Sequence, residues 1–245
     1  MATSRPSPKP RIKHAPERSV PSRRSVRTAF GLALAAAAAL VLVAVVLRKD
    51  NTPTPVATPV VNIDGIPQSG RVLGDPGAKV TLIEFADPQC PACRFYTLDV
   101  YPKLVNEYVR TGKVKTEFRG YPFIGPDSIK ALRFVMAASF QNKLWQLTEA
   151  FYRNQGAENS GWVTDDLVRR IAGEIPGLDV DRLFRDATSG RVTAMLNSDL
   201  RQVQAERISQ TPSFLVQIGN SQPYLLSVPL DVGAFRSALD DALRG

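Results

Sequence analysis

The chain has 245 residues, of which 44% are hydrophobic and 22% charged, enough for one well-cored domain with appendages. Its formal net charge of +8 is concentrated at the N-terminus. Residues 1–28 contain eight Lys or Arg and one Glu, and the remaining 23 basic and 22 acidic side chains nearly cancel. Because nucleic-acid binding requires a basic face, the composition argues against a nucleic-acid partner for the folded part.

The N-terminal region combines a basic, proline-containing tail with a long apolar run. Residues 1–28 are expected to be disordered and cytoplasmic. No charge occurs from Thr28 to Leu47, and twenty helical residues span about 30 Å, the thickness of the hydrocarbon core of a bilayer. Residues 29–47 are therefore predicted to be a single transmembrane anchor, with everything after Leu47 outside the cytoplasm. A cleaved signal peptide is the alternative, but no small-residue cleavage site ends the run.

The next segments are predicted to be a linker and the start of a folded domain. Residues 48–70 contain four prolines, so we expect an extended spacer, followed by a domain at 71–245. The apolar, β-branched run at 79–85 is typical of a buried strand. Apolar residues at spacings of three and four over 95–108 predict an amphipathic helix, and a second strand is expected at 113–118.

The later part of the domain begins with a helical block. Between about 127 and 207 the apolar spacings predict successive helices and no strand. Strand patterns return at 213–217 and 224–228, and an apolar stripe over 232–243 predicts a closing helix. The fold class is therefore α/β, interrupted by helices.

Cys90 and Cys93 are the only cysteines, and Pro91 and Ala92 separate them. A spacing of three on a helix puts both thiols on one face, close enough to form a disulfide. Unpaired N–H groups at a helix N-terminus favour a thiolate, so we expect Cys90 to be the exposed attacking thiol and Cys93 to resolve the mixed disulfide. No metal is predicted, because the only histidine, His14, lies in the tail. A purely structural disulfide is the other alternative, but a bridge across so short a loop would constrain the unfolded chain little.

Three motifs together are similar to the DsbA-like thioredoxin-fold family. They are Leu82-Ile83-Glu84-Phe85 shortly before the thiol pair, the Cys-Pro-Ala-Cys helix start, and Thr211-Pro212-Ser213-Phe214. The resemblance covers about 71–245. It implies a thioredoxin fold with a helical insertion, here preceded by the transmembrane helix, and no cofactor.

The resemblance also assigns roles outside the cysteine motif. Pro212 would be cis and pack against the cysteine pair, and Thr211 would bind extended substrate through its backbone. Relatives often carry Gly before this pair, where Gln210 stands. Glu84 occupies the position at which similar enzymes exchange a proton with the buried thiol, here Cys93; the alternative is a glutamate at a solvent-reaching strand end.

The expected activity is protein thiol-disulfide exchange outside the cell membrane. The motif lacks a side chain that donates to the thiolate, so we expect a pKa for Cys90 between about 3.5 and 7. We expect a donor of disulfides to exported proteins, kept oxidised by a membrane quinone-linked thiol partner. The alternatives are a reductase or isomerase fed by a transmembrane electron carrier, and a non-catalytic tethered peptide-binding module.

Overall fold

The computed structural model describes residues 61–245. The predicted tail at 1–28, the predicted transmembrane anchor at 29–47 and the first part of the predicted linker lie outside the described residues. Within the described part, no helix is both long enough and apolar enough to cross a bilayer.

A six-stranded mixed sheet forms the centre of the domain, in the order β1-β2-β4-β3-β5-β6. The strands are β1 (Gln68–Ser69), β2 (Val72–Leu73), β3 (Val80–Ala86), β4 (Val114–Gly120), β5 (Ser213–Ile218) and β6 (Tyr224–Leu226). β3 runs parallel to β4 and antiparallel to β5. All seven residues of β3 are buried, as its apolar run predicts. The four predicted strands are present, with ends that differ by about two residues or fewer.

The apolar periodicity predicted one regular α-helix after the cysteine motif, but the structure has a helix of alternating α and π segments there. It consists of α1 (Pro91–Phe95), a π-helical segment (Tyr96–Val100), α2 (Tyr101–Leu104) and a second π-helical segment (Val105–Val109). In the first π segment the N–H of Tyr101 donates to the carbonyl of Tyr96. Pro102 follows, and a proline inside a helix has no N–H and crowds the preceding turn. The wider π turn accommodates this local disruption.

Five helices form the predicted insertion between β4 and β5. They are α3 (Pro126–Ser139), α4 (Leu144–Arg153), α5 (Asp165–Gly173), α6 (Val180–Ala187) and α7 (Gly190–Ala205), and α8 (Val232–Arg244) closes the chain. Thr164, Asp179 and Ser189 cap the N-termini of α5, α6 and α7 with their side-chain oxygens.

One buried carboxylate joins this insertion to the sheet. The side chain of Asp199, on α7, has no exposed surface. It accepts hydrogen bonds from Arg71 at 2.6 Å, from Arg119 at 3.2 Å and from the backbone N–H of Gly120 at 2.9 Å. Asp199 therefore fixes the insertion to the C-terminal end of β4.

The packed domain begins earlier than the predicted boundary at Arg71. Three apolar side chains of the predicted linker are buried: Val61, Ile63 and Ile66. Arg110 donates to the carbonyl of Asp64 at 3.0 Å, and β1 pairs with β2. Residues 61–70 therefore belong to the packed domain, and the linker prediction is wrong for them. Two-residue strands have too little periodicity to be recognised in a sequence.

Candidate active site

Cys90 and Cys93 lie where β3 ends and α1 begins. Cys90 immediately precedes α1 with an extended backbone (φ −71°, ψ 119°), and Pro91 takes the first helical position, where no N–H is needed. The N–H of Cys93 donates to Cys90 Sγ over 3.3 Å. Both cysteines are free thiols in this structure. The geometry is therefore that of the reduced pair.

The two thiols have opposite electrostatic environments. The pKa of Cys90 is lowered to about 6, chiefly because the side chain of Cys93 donates a hydrogen bond to it; the backbone N–H groups of Cys93 and Ala92 also contribute. Burial raises the pKa of Cys93 well above its ordinary value. At neutral pH, Cys90 is therefore the thiolate and Cys93 the thiol. The value for Cys90 lies within the range expected from the sequence.

Cys90 is less accessible than the sequence had indicated, with 5% of its surface exposed. The reason is the loop before β5. The Thr211–Pro212 peptide bond is cis, as the family resemblance implied, and Cys90 Sγ lies 3.2 Å from the carbonyl oxygen of Thr211, to which the protonated thiol donates. Gln210, at the position where relatives often carry Gly, accepts a hydrogen bond at its carbonyl from the Ser213 hydroxyl at 2.8 Å. The reduced thiol is thus in contact with a backbone acceptor of the cis-proline loop.

Glu84 is buried in the middle of the sheet and does not lie at a solvent-reaching strand end. It is 4% exposed and lies on β3 between Phe118 of β4 and Phe214 of β5. Burial, and secondarily the negative charge of Cys90, raises its pKa to about 8. Its Oε1 has no hydrogen-bond partner among the described residues. Glu84 can therefore hold a proton at neutral pH and release it slightly above neutral pH.

A small cavity adjoins Glu84. Its volume is about 10 Å³, close to the minimum for one water molecule. The side chains that line it with Glu84 are Val61, Ile63, Thr97, Tyr101, Trp145, Thr148 and Glu149. The described N-terminal segment therefore forms part of the wall of the space beside the buried acid.

Exposed apolar side chains occur near the cysteine motif. Phe95, at the end of α1, is 48% exposed, and Phe123 is 49% exposed. Phe123 is held close to the motif because the neighbouring N–H of Ile124 donates to Asp87 Oδ2 at 2.8 Å. Phe95 was predicted to lie on the buried stripe; the first π segment changes the helical register, and the stripe begins at Tyr96 instead.

A family model described as thioredoxin matches residues 67–239. The chain belongs to this family. Probable disulfide bond formation protein D of Bacillus cereus is 31% identical over 175 residues, which cover 70% of this chain and 78% of the relative. Disulfide bond formation protein D of Bacillus subtilis is 26% identical over 151 residues, or 59% of this chain and 66% of that protein. This thioredoxin-family chain is therefore a DsbA-like thiol-disulfide oxidoreductase.

Solved structures support the same fold. Oxidised BdbD from Bacillus subtilis matches with a TM-score of 0.64 and 22% identity, covering 74% of this chain and 98% of that chain. Wolbachia pipientis α-DsbA1 matches with a TM-score of 0.62 and 20% identity, covering 75% of this chain and 94% of that chain. At these identities the likeness establishes a thioredoxin fold with its helical insertion.

Asp87 organises the loop that carries this thioredoxin-family motif, and the sequence reasoning missed it. Its Oδ1 accepts from the N–H of Gln89 at 2.8 Å, and its carbonyl accepts from the N–H of Cys90 at 2.9 Å and from the Tyr152 hydroxyl at 3.2 Å. The signal available in the sequence was the Asp87-Pro88 pair, because Asp before Pro favours the start of a turn. The partner Tyr152 comes from the insertion and has no local signal.

Proposed function

We propose that this oxidoreductase donates the Cys90–Cys93 disulfide to exported proteins outside the cell membrane. The observation that carries the proposal is the contrast between the two thiols: Cys90 has a pKa of about 6, whereas burial keeps Cys93 protonated. In thiol-disulfide exchange, the thiol with the lower pKa is the better leaving group. A pair with this asymmetry favours release of Cys90 from a mixed disulfide.

The donation consists of two exchange steps. A substrate thiolate attacks Cys90 Sγ of the oxidised pair, the Cys90–Cys93 bond breaks, and Cys93 leaves with the electron pair and takes up a proton. A second substrate thiolate then attacks the substrate sulfur of the mixed disulfide, and Cys90 leaves as a thiolate. The substrate dithiol has lost two electrons and formed a disulfide, and the enzyme holds the reduced pair, with Cys90 as the thiolate and Cys93 as the thiol.

Glu84 supplies the proton that Cys93 takes up. With a pKa of about 8, Glu84 is protonated at neutral pH, and its negative charge, when formed, raises the pKa of Cys93. A neutral acid therefore gives a proton to the departing thiolate and recovers it from solvent. The cavity beside Glu84, whose volume is close to the minimum for one water molecule, is consistent with this role.

Substrate binds as an extended peptide along the cis-proline loop. The Thr211 carbonyl, which lies 3.2 Å from Cys90 Sγ in the reduced enzyme, accepts an N–H of the substrate. Pro212 packs against the cysteine pair. Pro91, Phe95 and Phe123 add exposed apolar surface near the motif. This surface suits unfolded exported chains, whose apolar side chains are still accessible.

The membrane location rests on the N-terminal sequence. The anchor at 29–47 would hold the domain at the outer side of the cell membrane, where a membrane quinone-linked thiol partner reoxidises the cysteines. The names of the Bacillus relatives, disulfide bond formation protein D, support disulfide formation as the direction of the reaction.

The reduction potential of the purified full chain tests the direction. The chain is equilibrated with glutathione buffers, and its free thiols are trapped and counted. A potential well above about −200 mV supports a disulfide donor, whereas one near about −270 mV supports a reductase.

A double Cys90→Ser, Cys93→Ser variant tests the non-catalytic alternative. If it binds unfolded peptide and leaves disulfide formation in exported proteins unchanged, the chain acts as a tethered binding module.

A further inference from the structure

Gln89, immediately before Cys90, is buried and uses its whole side-chain amide. It is 1% exposed. Its Nε2 donates to Ser128 Oγ at 2.8 Å and to Asn159 Oδ1 at 3.0 Å. Its Oε1 accepts from the N–H of Asn159 at 2.7 Å and from Trp162 Nε1 at 3.4 Å. A glutamine amide has two donor hydrogens and an oxygen with two lone pairs, so every hydrogen-bonding position is occupied.

Gln155 contacts the same stretch of backbone. Its Nε2 donates to the carbonyl of Pro88 at 2.8 Å and to the carbonyl of Cys90 at 3.2 Å. Gln155 and Asn159 both belong to the loop between α4 and α5, residues 154–164. Two side-chain amides therefore join the α4–α5 loop to the residues just before α1. One is the amide of Gln89, beside the cysteine motif, and the other is the amide of Gln155, in the loop.

We propose that Gln89 and Gln155 are positioning residues for thiol-disulfide exchange: they hold residues 88–90 against the α4–α5 loop and so keep Cys90 Sγ within hydrogen-bond reach of the Cys93 N–H. The inference rests on the proposed function and deepens it. The two residues, called here the glutamine clamp, do not touch the sulfur atoms. They act on the backbone that carries Cys90.

The effect of the clamp follows from the geometry of the helix start. Cys90 Sγ reaches the Cys93 N–H only while Cys90 keeps its extended backbone angles before α1. Those angles depend on the residues before it, which the clamp fixes on the insertion. Hydrogen bonds to a charged acceptor are roughly twice as strong as neutral ones, so a small displacement affects the thiolate more than the thiol. Loosening the clamp is therefore expected to destabilise the thiolate of the reduced enzyme.

Two titrations of the full chain test the clamp. Gln89→Leu and Gln155→Leu, singly and together, are compared with the wild type by following the ultraviolet absorbance of the thiolate against pH. We expect the midpoint of the double variant to lie higher by about one pH unit. Near neutral pH, a midpoint moved from about 6 to about 7 lowers the equilibrium constant for reduction of the disulfide by glutathione roughly fivefold. This change corresponds to a reduction potential lower by about 20 mV.

Gln141→Leu is the matched control. Gln141 also bridges two segments with its amide, accepting from the N–H of Asp179 at 2.9 Å and donating to the carbonyl of Asp179 at 3.1 Å, but both segments lie within the insertion. It should leave the thiolate midpoint unchanged. Asn159→Gly is a milder variant at an exposed residue whose positive φ of 52° suits glycine. It removes two side-chain hydrogen bonds, one from Gln89 and one to the Ile124 carbonyl, and keeps the N–H that donates to Gln89. It should shift the midpoint in the same direction by a smaller amount.

The outcomes separate the clamp from the proposed function. If Asn159→Gly and the folded clamp variants titrate like the wild type, the glutamines have only a structural role and the inference is overturned. If the wild type does not exchange disulfides with glutathione, the proposed function fails, whatever the variants do to the thiolate midpoint. A midpoint shift in the clamp variants, with an exchanging wild type and an unchanged Gln141→Leu, supports both.

Discussion

At the scale of single residues, Cys90 and Cys93 are three positions apart and differ strongly in acidity. The low pKa of Cys90 depends first on the hydrogen bond from the Cys93 side chain, with smaller contributions from Thr211 and from backbone N–H groups. The high pKa of Cys93 depends on burial. The spacing of the motif indicated this division, but its size depends on how deeply the fold buries the second thiol.

The alkylation rate of Cys90 should follow this dependence. In the wild type, the rate of reaction with iodoacetamide should rise with pH through an inflection near pH 6. Cys93→Ala removes the leading hydrogen bond, so its inflection should move to higher pH. Cys93→Ser keeps a side-chain donor and serves as the control, with an inflection between the other two. An unchanged inflection in Cys93→Ala would contradict the assigned cause.

Glu84 should make the free energy of unfolding fall as the pH rises, whereas an ion-paired carboxylate makes it rise. Its pKa is raised from 4.5 to about 8 in the folded state, so folding retains a proton that the unfolded chain releases. Its contribution is fully present below about pH 4.5 and is lost as the pH rises to about 8. Glu84→Gln should therefore gain stability relative to the wild type across this window, by about 1.4 kcal/mol per pH unit.

Urea unfolding at several pH values measures this difference. Glu107→Gln is the control, because Arg236 lowers the pKa of this exposed carboxyl group through a hydrogen bond. Stability from Glu107 is lost as the pH falls through its lowered pKa, so the control should show a small change of opposite sign. A pH-independent difference between Glu84→Gln and the wild type would show that Glu84 titrates normally.

At the scale of elements, Asp199 joins the helical insertion to the sheet. It lies on α7 and pairs with Arg71 beside β2 and Arg119 on β4. Removing one member of a buried ionic cluster leaves unpaired groups behind, and typical costs are about 3 to 5 kcal/mol. Because Arg71 and Arg119 also pair with Glu117, we expect Asp199→Ala to lower the free energy of unfolding by about 3 kcal/mol, near the lower limit.

Chemical denaturation of matched variants measures this contribution. Asp181→Ala is the comparison, because Asp181 pairs with Arg169 where the two side chains are 77% and 52% exposed. Exposed pairs contribute about 1 kcal/mol or less. Equal losses in the two variants would mean that burial of the Asp199 cluster adds nothing to stability.

At the scale of the whole molecule, the residues before Arg71 complete the core. Ile63 and Ile66 are each 8% exposed, and Ile63 lines the cavity beside Glu84. Replacing a buried isoleucine with alanine typically costs about 2 to 5 kcal/mol. Ile63→Ala in the full chain should therefore lower the denaturation midpoint clearly, whereas Asn62→Ala at the exposed neighbour should have little effect. Equal midpoints would mean that residues 61–66 do not stabilise the domain.

The parts of this protein that the sequence determined are those with local signals. The buried run of β3, the helical block and the closing helix follow from hydrophobic periodicity, which depends on neighbouring residues alone. The thiol pair follows from two cysteines at helical spacing, and the cis-proline loop from the resemblance. Each of these signals lies within a short stretch of chain, and the structure has the corresponding element at each place.

Tertiary structure alone decided the environment of these groups. The Cys90 thiol meets the Thr211 carbonyl across 121 positions, and Gln89 meets Asn159 across 70. Likewise, the burial of Glu84 depends on a wall formed partly by Val61 and Ile63. Accessibility, pKa and hydrogen-bond partners are properties of the space around a side chain. That space is filled by residues distant in the chain, so no local pattern contains them.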